Sequence, residues 1–487
     1  MKKLTVWALL AMLVVAGSAF AAGQGKVTGN ATFATGGPAT TNNDDSCDIS
    51  VAPAATLLLP YFEVDLTNAA GETTLFTITN TSNLDQIAHV TLWTDYSFPV
   101  IDFNIFLTGY DVQAINLFDI ISRGVIAPDA GTGTAVAVPG RTTARRTPTS
   151  DVNTTLNLAA CDRLPGTLDP QYVQRMQRAF TAGEVPDLGV LEGCDEVGLV
   201  HTNAIGYATI DTADLCSTSL PTDPGYFTSE IRFDNVLIGD YQQVNSSQNF
   251  AQGNPMVHIR AIPEGGDVGT VATINFDRTF YSRYQAGAVL DRRQPLPSVF
   301  AARWIQGGAN QMATSYKIWR EGITGVGAPV PDECGEWQQN NTNVAEIVRF
   351  DEAENPVGDV PVSRVSPPIT TEFTLPETSR TSVADASIYP QLTNGATAGW
   401  MYLNLDNSTT DTPLASQNWV VVSMRAEGRY SVDFDAAWLA NGCTTQEPIS
   451  EVTTGTEIIG PAVAATPVQG PTNANWNPDR AGVGGGL

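Results

Sequence analysis

Lysine is nearly missing from this chain. Lys2, Lys3, Lys26 and Lys317 are the whole supply. Neither Lys26 nor Lys317 stands in a G-x-x-x-x-G-K-[ST] pattern, so a lysine-bearing phosphate loop is excluded. Histidine is as scarce: His89, His201 and His258 lie far apart in sequence. No H-x-x-x-H spacing places two imidazoles on one helical face, which argues against a zinc hydrolase. There is no C-x-x-C, so neither a dithiol redox site nor a zinc motif is expected. There is no G-x-S-x-G elbow for a nucleophilic serine. No G-x-G-x-x-G opens a βαβ unit, which argues against a dinucleotide site. Positive charge is short as well: 25 Lys and Arg face 51 Asp and Glu, for a formal net charge of −26. Such a surface repels nucleic acid and anionic lipid.

Long apolar runs are limited to one, at the start. In "MKKLTVWALLAMLVVAGSAFAAGQG", Lys2 and Lys3 precede an apolar stretch from Leu4 to Val15, and Ala19-Phe20-Ala21 follows as an A-x-A cleavage signal. Residues 1–21 therefore read as a secretory signal peptide, and the fold is argued without them. No membrane insertion is expected of the mature chain. Export places it outside the cell or on the cell surface, or in the periplasm. The mature charge is two units more negative once Lys2 and Lys3 are gone. The cysteines Cys47, Cys161, Cys194, Cys216, Cys334 and Cys443 all lie beyond the signal. An even count in an exported chain reads as three disulfides. Cys161 and Cys194 bracket one helical segment and are expected to pair. Cys334 and Cys443 are expected to join the early and late parts of the second half, leaving Cys47 for Cys216.

What remains is strand-like text. Residues 22–46 are a Gly-, Thr- and Asn-rich leader. From Ala55 onward, "TLLLPYFEVD", "TLFTITN", "AHVTLWTD" and "VIDFNIFLT" are short runs of Val, Ile, Thr and aromatics between turn residues. That pattern predicts an antiparallel sandwich or barrel. One helix interrupts it, in "LDPQYVQRMQRAFTAGEVP". Asp169 stands as N-cap, Pro170 opens the first turn and Gly183 stops it, while Tyr172, Met176 and Phe180 form one apolar stripe. The expected fold is all-β: two tandem antiparallel sandwich-like domains with one short helical insertion. The first domain spans 47–290 with its insertion at 160–195. The second spans 291–447, and 448–487 is a Pro-, Gly- and Thr-rich tail expected to be disordered.

The halves echo each other. "LLLPYFEVDL" followed by "HVTLWTD" parallels "PLPSVFAARW" followed by "YKIWREG", and "NAIGYATIDTAD" parallels "ATAGWMYLNLDN". Two sandwiches of common design would explain this. With "DNVLIGDYQ", "IWREG" and "SVDFDAAW", these segments resemble uncharacterised secreted bacterial proteins of β-rich type. That resemblance implies an exported β-fold and no activity.

Candidate chemistry centres on acids. "TLWTDYSFPVIDFNIFLTGYDVQ" holds Asp95, Asp102 and Asp111 among aromatics. Read as a hairpin, Ile101, Phe103, Ile105 and Leu107 face the core while Asp102 and Asn104 face away. His89, Thr91 and Trp93 take the outer face of the preceding strand, Asp95 caps the turn, and Asp111 lies at the far end. A strand of about seven residues puts Asp95 and Asp111 over 20 Å apart, too far for one metal. In "YSVDFDAAW", Asp433 and Asp435 share one strand face, expected to be solvated. "LNLDNSTTD" alternates oxygen ligands but lacks the glycine and terminal Glu of an EF-hand loop. No cofactor is expected; calcium is compatible with the acid content, with no position that can be assigned. His258 is expected to be a half-buried strand histidine. Trp93, Trp319 and Trp400 are candidate sugar-stacking surfaces, with packing between domains the stronger expectation. No catalytic residue is assigned. The expected role is an exported structural or adhesive surface protein, its partners further copies of itself or surface and matrix glycans. The alternatives are a glycan-binding module and a secreted hydrolase with paired carboxylates.

Overall fold

The structure, a computed structural model, describes residues 49–126, 166–186, 193–223, 225–261, 279–284, 291, 293–322, 342–343, 346–355, 374–391, 394–405, 417–426 and 430–440. The signal, the leader, the tail, and residues 406–411 of "LNLDNSTTD" lie outside the described residues. The first half begins with β1 (Thr56–Val64), β2 (Glu72–Asn80), β3 (Gln86–Thr94), β4 (Pro99–Leu107) and β5 (Val112–Asn116), followed by helix α1 (Leu117–Arg123). A short ribbon, β6 (Val125–Ile126) with β7 (Gly166–Thr167), leads to helix α2 (Pro170–Ala182). Then come β8 (Ala204–Ala213), β9 (Leu237–Asn245), β10 (Phe250–Pro255) and β11 (Val257–Ile259). They form a five-stranded sheet, β11-β1-β8-β3-β4, and a four-stranded sheet, β10-β9-β2-β5.

Strand parity fills the space between these sheets. Ile101, Phe103, Ile105 and Leu107 of β4 are buried in one apolar cluster with Ala88, Val90 and Leu92 of β3, as the alternation predicts. In β1, Leu57 and Leu59 point into that cluster, and then Phe62 and Val64 do. The odd-to-even switch is a bulge: the register to β8 shifts between Leu59 and Phe62, around Pro60. Proline donates no backbone hydrogen bond, so an irregularity there costs the ladder little.

Helix α2 has the expected caps. Asp169 accepts a hydrogen bond from the Gln171 N–H, and Gly183 takes the left-handed conformation at φ 64°. Its Met176 and Phe180 enter the same core cluster, with Phe180 edge-on to Phe62 at 5.3 Å between ring centroids. The Tyr172 hydroxyl donates to the Val100 carbonyl of β4, the outermost strand, so the helix covers a sheet edge. The insertion is not the only helix. Seven-residue α1 has Asn116 capping the Phe118 N–H and Gly124 at φ 69°. Its Leu117, Phe118, Ile120 and Ile121 join the core.

The second half has β12 (Val299–Ile305), β13 (Ala313–Arg320), β14 (Thr342–Asn343), β15 (Glu346–Asp351), β16 (Thr374–Leu375), β17 (Thr378–Ser382), β18 (Ala398–Asn404), β19 (Asn418–Ala426), β20 (Tyr430–Asp435) and β21 (Ala437–Ala440). Two four-stranded sheets result, β15-β18-β12-β21 and β17-β13-β19-β20. Their order repeats the first half. Reading β12 for β1, β13 for β2, β15 for β3, β17 for β5 and β18 through β21 for β8 through β11 turns one topology into the other, with β4 the extra edge strand. Every corresponding pair is antiparallel. The sequence echo is therefore half right. "NAIGYATIDTAD" and "ATAGWMYLNLDN" correspond as β8 and β18. "HVTLWTD" is β3, whose counterpart is β15, whereas "YKIWREG" is β13 and answers to β2.

The two sandwiches share an apolar cluster. Leu58, Trp93, Tyr207, Val257 and Ile259, on the outer face of the five-stranded sheet, fall in one apolar cluster with Trp319, Trp419 and the core residues Tyr316, Ile318 and Val420 of the second sandwich. The edge strands β10 and β20 lie side by side. There Gln252 Nε2 donates to the Val432 carbonyl at 2.9 Å, and Ser423 donates to Gln252 at 2.8 Å.

Candidate functional site

The three acids of the β3–β4 hairpin have three different fates. Asp111 accepts from the Thr108 backbone and hydroxyl, a turn role at the far end. Asp102 is half-buried on β4, its Oδ2 4.0 Å from His89 Nε2. Asp95 is not a solvent-side turn cap. It is 1% exposed, pairs with His201 at 2.9 Å and accepts the Leu199 N–H at 3.1 Å. Burial holds its carboxyl above the usual aspartate range, opposed by the His201 hydrogen bond. Gly198 permits the approach: a Cβ there would stand 2.6 Å from Asp95 Oδ1. Asp95 and His201 lie 106 positions apart, so no motif could have revealed the pair.

The same turn carries a polar junction between the sandwiches. Ser97 has φ 63°, unusual for a residue with a Cβ. Its hydroxyl bonds to Tyr207 and to Glu377, which stands just before β17. The Glu377 N–H donates to the Asp95 carbonyl at 2.8 Å. Arg283 pairs with the other Glu377 oxygen at 2.6 Å and lies 4.5 Å over the Tyr284 ring. Glu377 is fully buried, and burial raises its pKa to about 7 despite Arg283. Serine, histidine and acid thus meet around one turn, but not as a nucleophilic triad. Ser97 bonds to Glu377 and Tyr207, whereas His201 bonds to Asp95, so no imidazole is placed to take the serine proton.

A second buried network joins the outer face of β8 to the segment before β12. Asp211 accepts from the Tyr226, Tyr281 and Thr56 hydroxyls, and Arg293 bridges it to Asp291 at 3.2 Å and 3.0 Å. Next to it, His89 bonds to Asn104 Oδ1 at 3.1 Å, and burial lowers its pKa, favouring the neutral imidazole. Asn104 in turn donates to the Ser217 carbonyl. On the outer faces of β3 and β4, His89 lies edge-on to the Tyr226 ring and Asn104 bonds to Ser217, so both are covered rather than left to water. His258 accepts the Gly239 N–H at 3.1 Å and is pushed down to about 4 by burial, a structural histidine.

The remaining candidates resolve as packing. Trp93 and Trp319 are 1% and 3% exposed, stacked against Tyr207 and Phe280 respectively. Trp400 is half-buried with Arg303 4.5 Å over its ring. Asp433 is buried rather than solvated and pairs with Lys317 at 2.5 Å. Asp435 accepts from Trp419 Nε1 at 3.0 Å and Asn254 Nδ2 at 2.7 Å. Cys194 and Cys216 are the cysteines among the described residues, and neither is a free thiol. Cys47, Cys161, Cys334 and Cys443 lie outside them.

Among the described residues, no three His, Cys, Asp or Glu side chains gather to hold a metal ion. No described helix is long and apolar enough to cross a membrane. No protein-family model, curated protein or solved structure matches the chain.

Proposed function

We propose that this chain is an exported structural or adhesive surface protein, built as one stiff double sandwich that associates with further copies of itself. The observation that carries this reading is the edge at β5, the outermost strand of its sheet, which pairs on its outer side with no other strand among the described residues. Val112 on that strand is 56% exposed, and Tyr110 and Leu84 beside it are 70% and 65% exposed. The Tyr110 N–H bonds to the Ser82 carbonyl, which holds the two loops together. A strand with one open edge flanked by apolar side chains is a template for edge-to-edge addition of another chain. The hydrolase alternative is weakened because Asp433 is engaged by Lys317, leaving no free carboxylate pair on that strand. The glycan-binding alternative is weakened because Trp93 and Trp319 are buried.

Sedimentation velocity of the purified mature chain tests the reading. Concentration-dependent assembly is expected, and Val112→Lys should weaken it by placing a charge on the edge. A chain that stays monomeric across the concentration range would refute self-association. Turnover of glycoside or ester substrates that disappears in Asp95→Asn would overturn the non-catalytic part.

A further inference from the structure

The Lys317 site holds more than a surface ion pair would. Lys317 is on β13 and Asp433 is on β20, with β19 between them in the sheet. The registers Ser315↔Ser423 and Ser423↔Asp433 place both side chains on one face, so the lysine reaches diagonally across β19. Nζ and Oδ2 lie 2.5 Å apart, and both side chains are fully shielded from solvent. The roof is the first sandwich: the Tyr241 ring stands 5.9 Å from Nζ, and Gln252 seals the adjoining backbone. Asp433 Oδ1 and the Tyr241 hydroxyl are both buried without a hydrogen-bond partner. A carboxylate that keeps one oxygen unpaired in a dry site is costly as an anion.

We propose that Lys317 and Asp433 condense to an intramolecular isopeptide bond that ties edge strand β20 to β13 across β19. The step balances within the pair. The ammonium proton crosses to the carboxylate, giving a neutral amine and a carboxylic acid. The amine lone pair attacks the Asp433 Cγ and forms the C–N bond. The adduct then expels the hydroxyl oxygen, which takes a nitrogen-bound proton and leaves as water. No oxidant, reductant or cofactor is required. Two features favour this course over a lasting ion pair. Desolvation lowers the lysine pKa and so favours the nucleophilic amine, against the opposing pull of Asp433. Holding the two groups in contact replaces an intermolecular encounter, with effective molarities of about 10⁵–10⁸ M for well-oriented pairs. The other charges near the lysine are Arg380, which disfavours its ammonium form, and Glu72, which favours it; Asp435 stands two residues from Asp433 on the same face. This inference is independent of the functional reading above.

Intact mass of the denatured, reduced and alkylated chain is the test. Most of the wild-type chain should be lighter than its sequence by one water, and digestion should yield one branched peptide containing Lys317 and Asp433. Lys317→Met and Asp433→Ala should each have full sequence mass. Asp433→Asn should form the same amide by losing ammonia, so its deficit relative to its own sequence changes from water to ammonia. If most wild-type chain has its unmodified mass and yields a linear Lys317 peptide, the proposal is wrong. That readout needs no variant to fold.

Discussion

Glu377 offers a measurable pH dependence with a definite sign. Its carboxyl is raised from an ordinary 4.5 to about 7, burial outweighing the attraction of Arg283. A raised acid binds its proton more tightly in the folded chain than in the unfolded one. Its contribution is therefore fully present below about pH 4.5 and is lost as pH rises through about 7. Each pKa unit is worth about 1.4 kcal/mol, so the whole interval amounts to about 3 kcal/mol. Glu377→Gln keeps the shape and removes the titration. The wild-type acid is itself neutral at pH 5, so the variant should be about as stable as wild type there. Between pH 5 and pH 8 wild type should lose about 2–3 kcal/mol relative to the variant, because only wild type must ionise a buried acid. Other raised acids, Asp95 among them, titrate in both chains and cancel. Urea unfolding of both proteins at the two pH values measures it. A wild type that holds or gains stability relative to the variant toward pH 8 would show that Arg283 outweighs burial and that the sign is the reverse.

Three further outcomes are expected. Phe103→Ala should cost about 3–5 kcal/mol because the ring is fully buried in the first core, whereas Asp102→Asn should stay within about 0.5 kcal/mol; urea unfolding that ranks them the other way would place a site at Asp102. Arg293→Met should destabilise by about 3–5 kcal/mol by leaving Asp211 and Asp291 buried without their cation, and a thermal midpoint equal to wild type would refute that role. Non-reducing peptide mapping should recover Cys161–Cys194, Cys47–Cys216 and Cys334–Cys443, the first closing a loop of about 34 residues worth about 3–4 kcal/mol; Cys334 linked to any cysteine before residue 220 would break the scheme.

Local signals are legible in the sequence and long-range ones are not. The caps and stripe of α2 can be read because each acts within a few residues of its helix, and Asp169, Pro170 and Gly183 stand where the rules put them. The inward parity of β4 can be read for the same reason. Helix α1 is hidden because seven residues, "LFDIISR", are too few to show a period distinct from strand text. The larger departure concerns the outer faces. A polar residue opposite the core meets water in an isolated sandwich. Here a second layer covers that face, so every residue of β3 is buried, and β1 and β19 are buried almost throughout. The unbroken run "NWVVVSM" in β19 is the clue the sequence holds, since a strand covered on both faces loses its alternation.

The same covering changes what the scarcity of cations means. Lys317, Arg293 and Arg320 are fully buried and Arg349 is nearly so, the last 3.9 Å over the Trp304 ring. A chain with few basic residues has placed several of them inside, where each faces a buried acid, amide, carbonyl or ring drawn from a distant part of the sequence. Their partners are long-range: Lys317 and Asp433 are 116 positions apart, and Ser97 and Glu377 are 280 apart. The buried bases Lys317 and Arg293 are matched by the buried acids Asp433, Asp211 and Asp291, so the surface keeps the acidic balance of the composition and such chains repel one another. Edge-to-edge association of such chains must overcome that repulsion, which salt screens over about 10 Å at 0.1 M. Assembly through the proposed apolar rim at Leu84, Tyr110 and Val112 should therefore strengthen as salt is added.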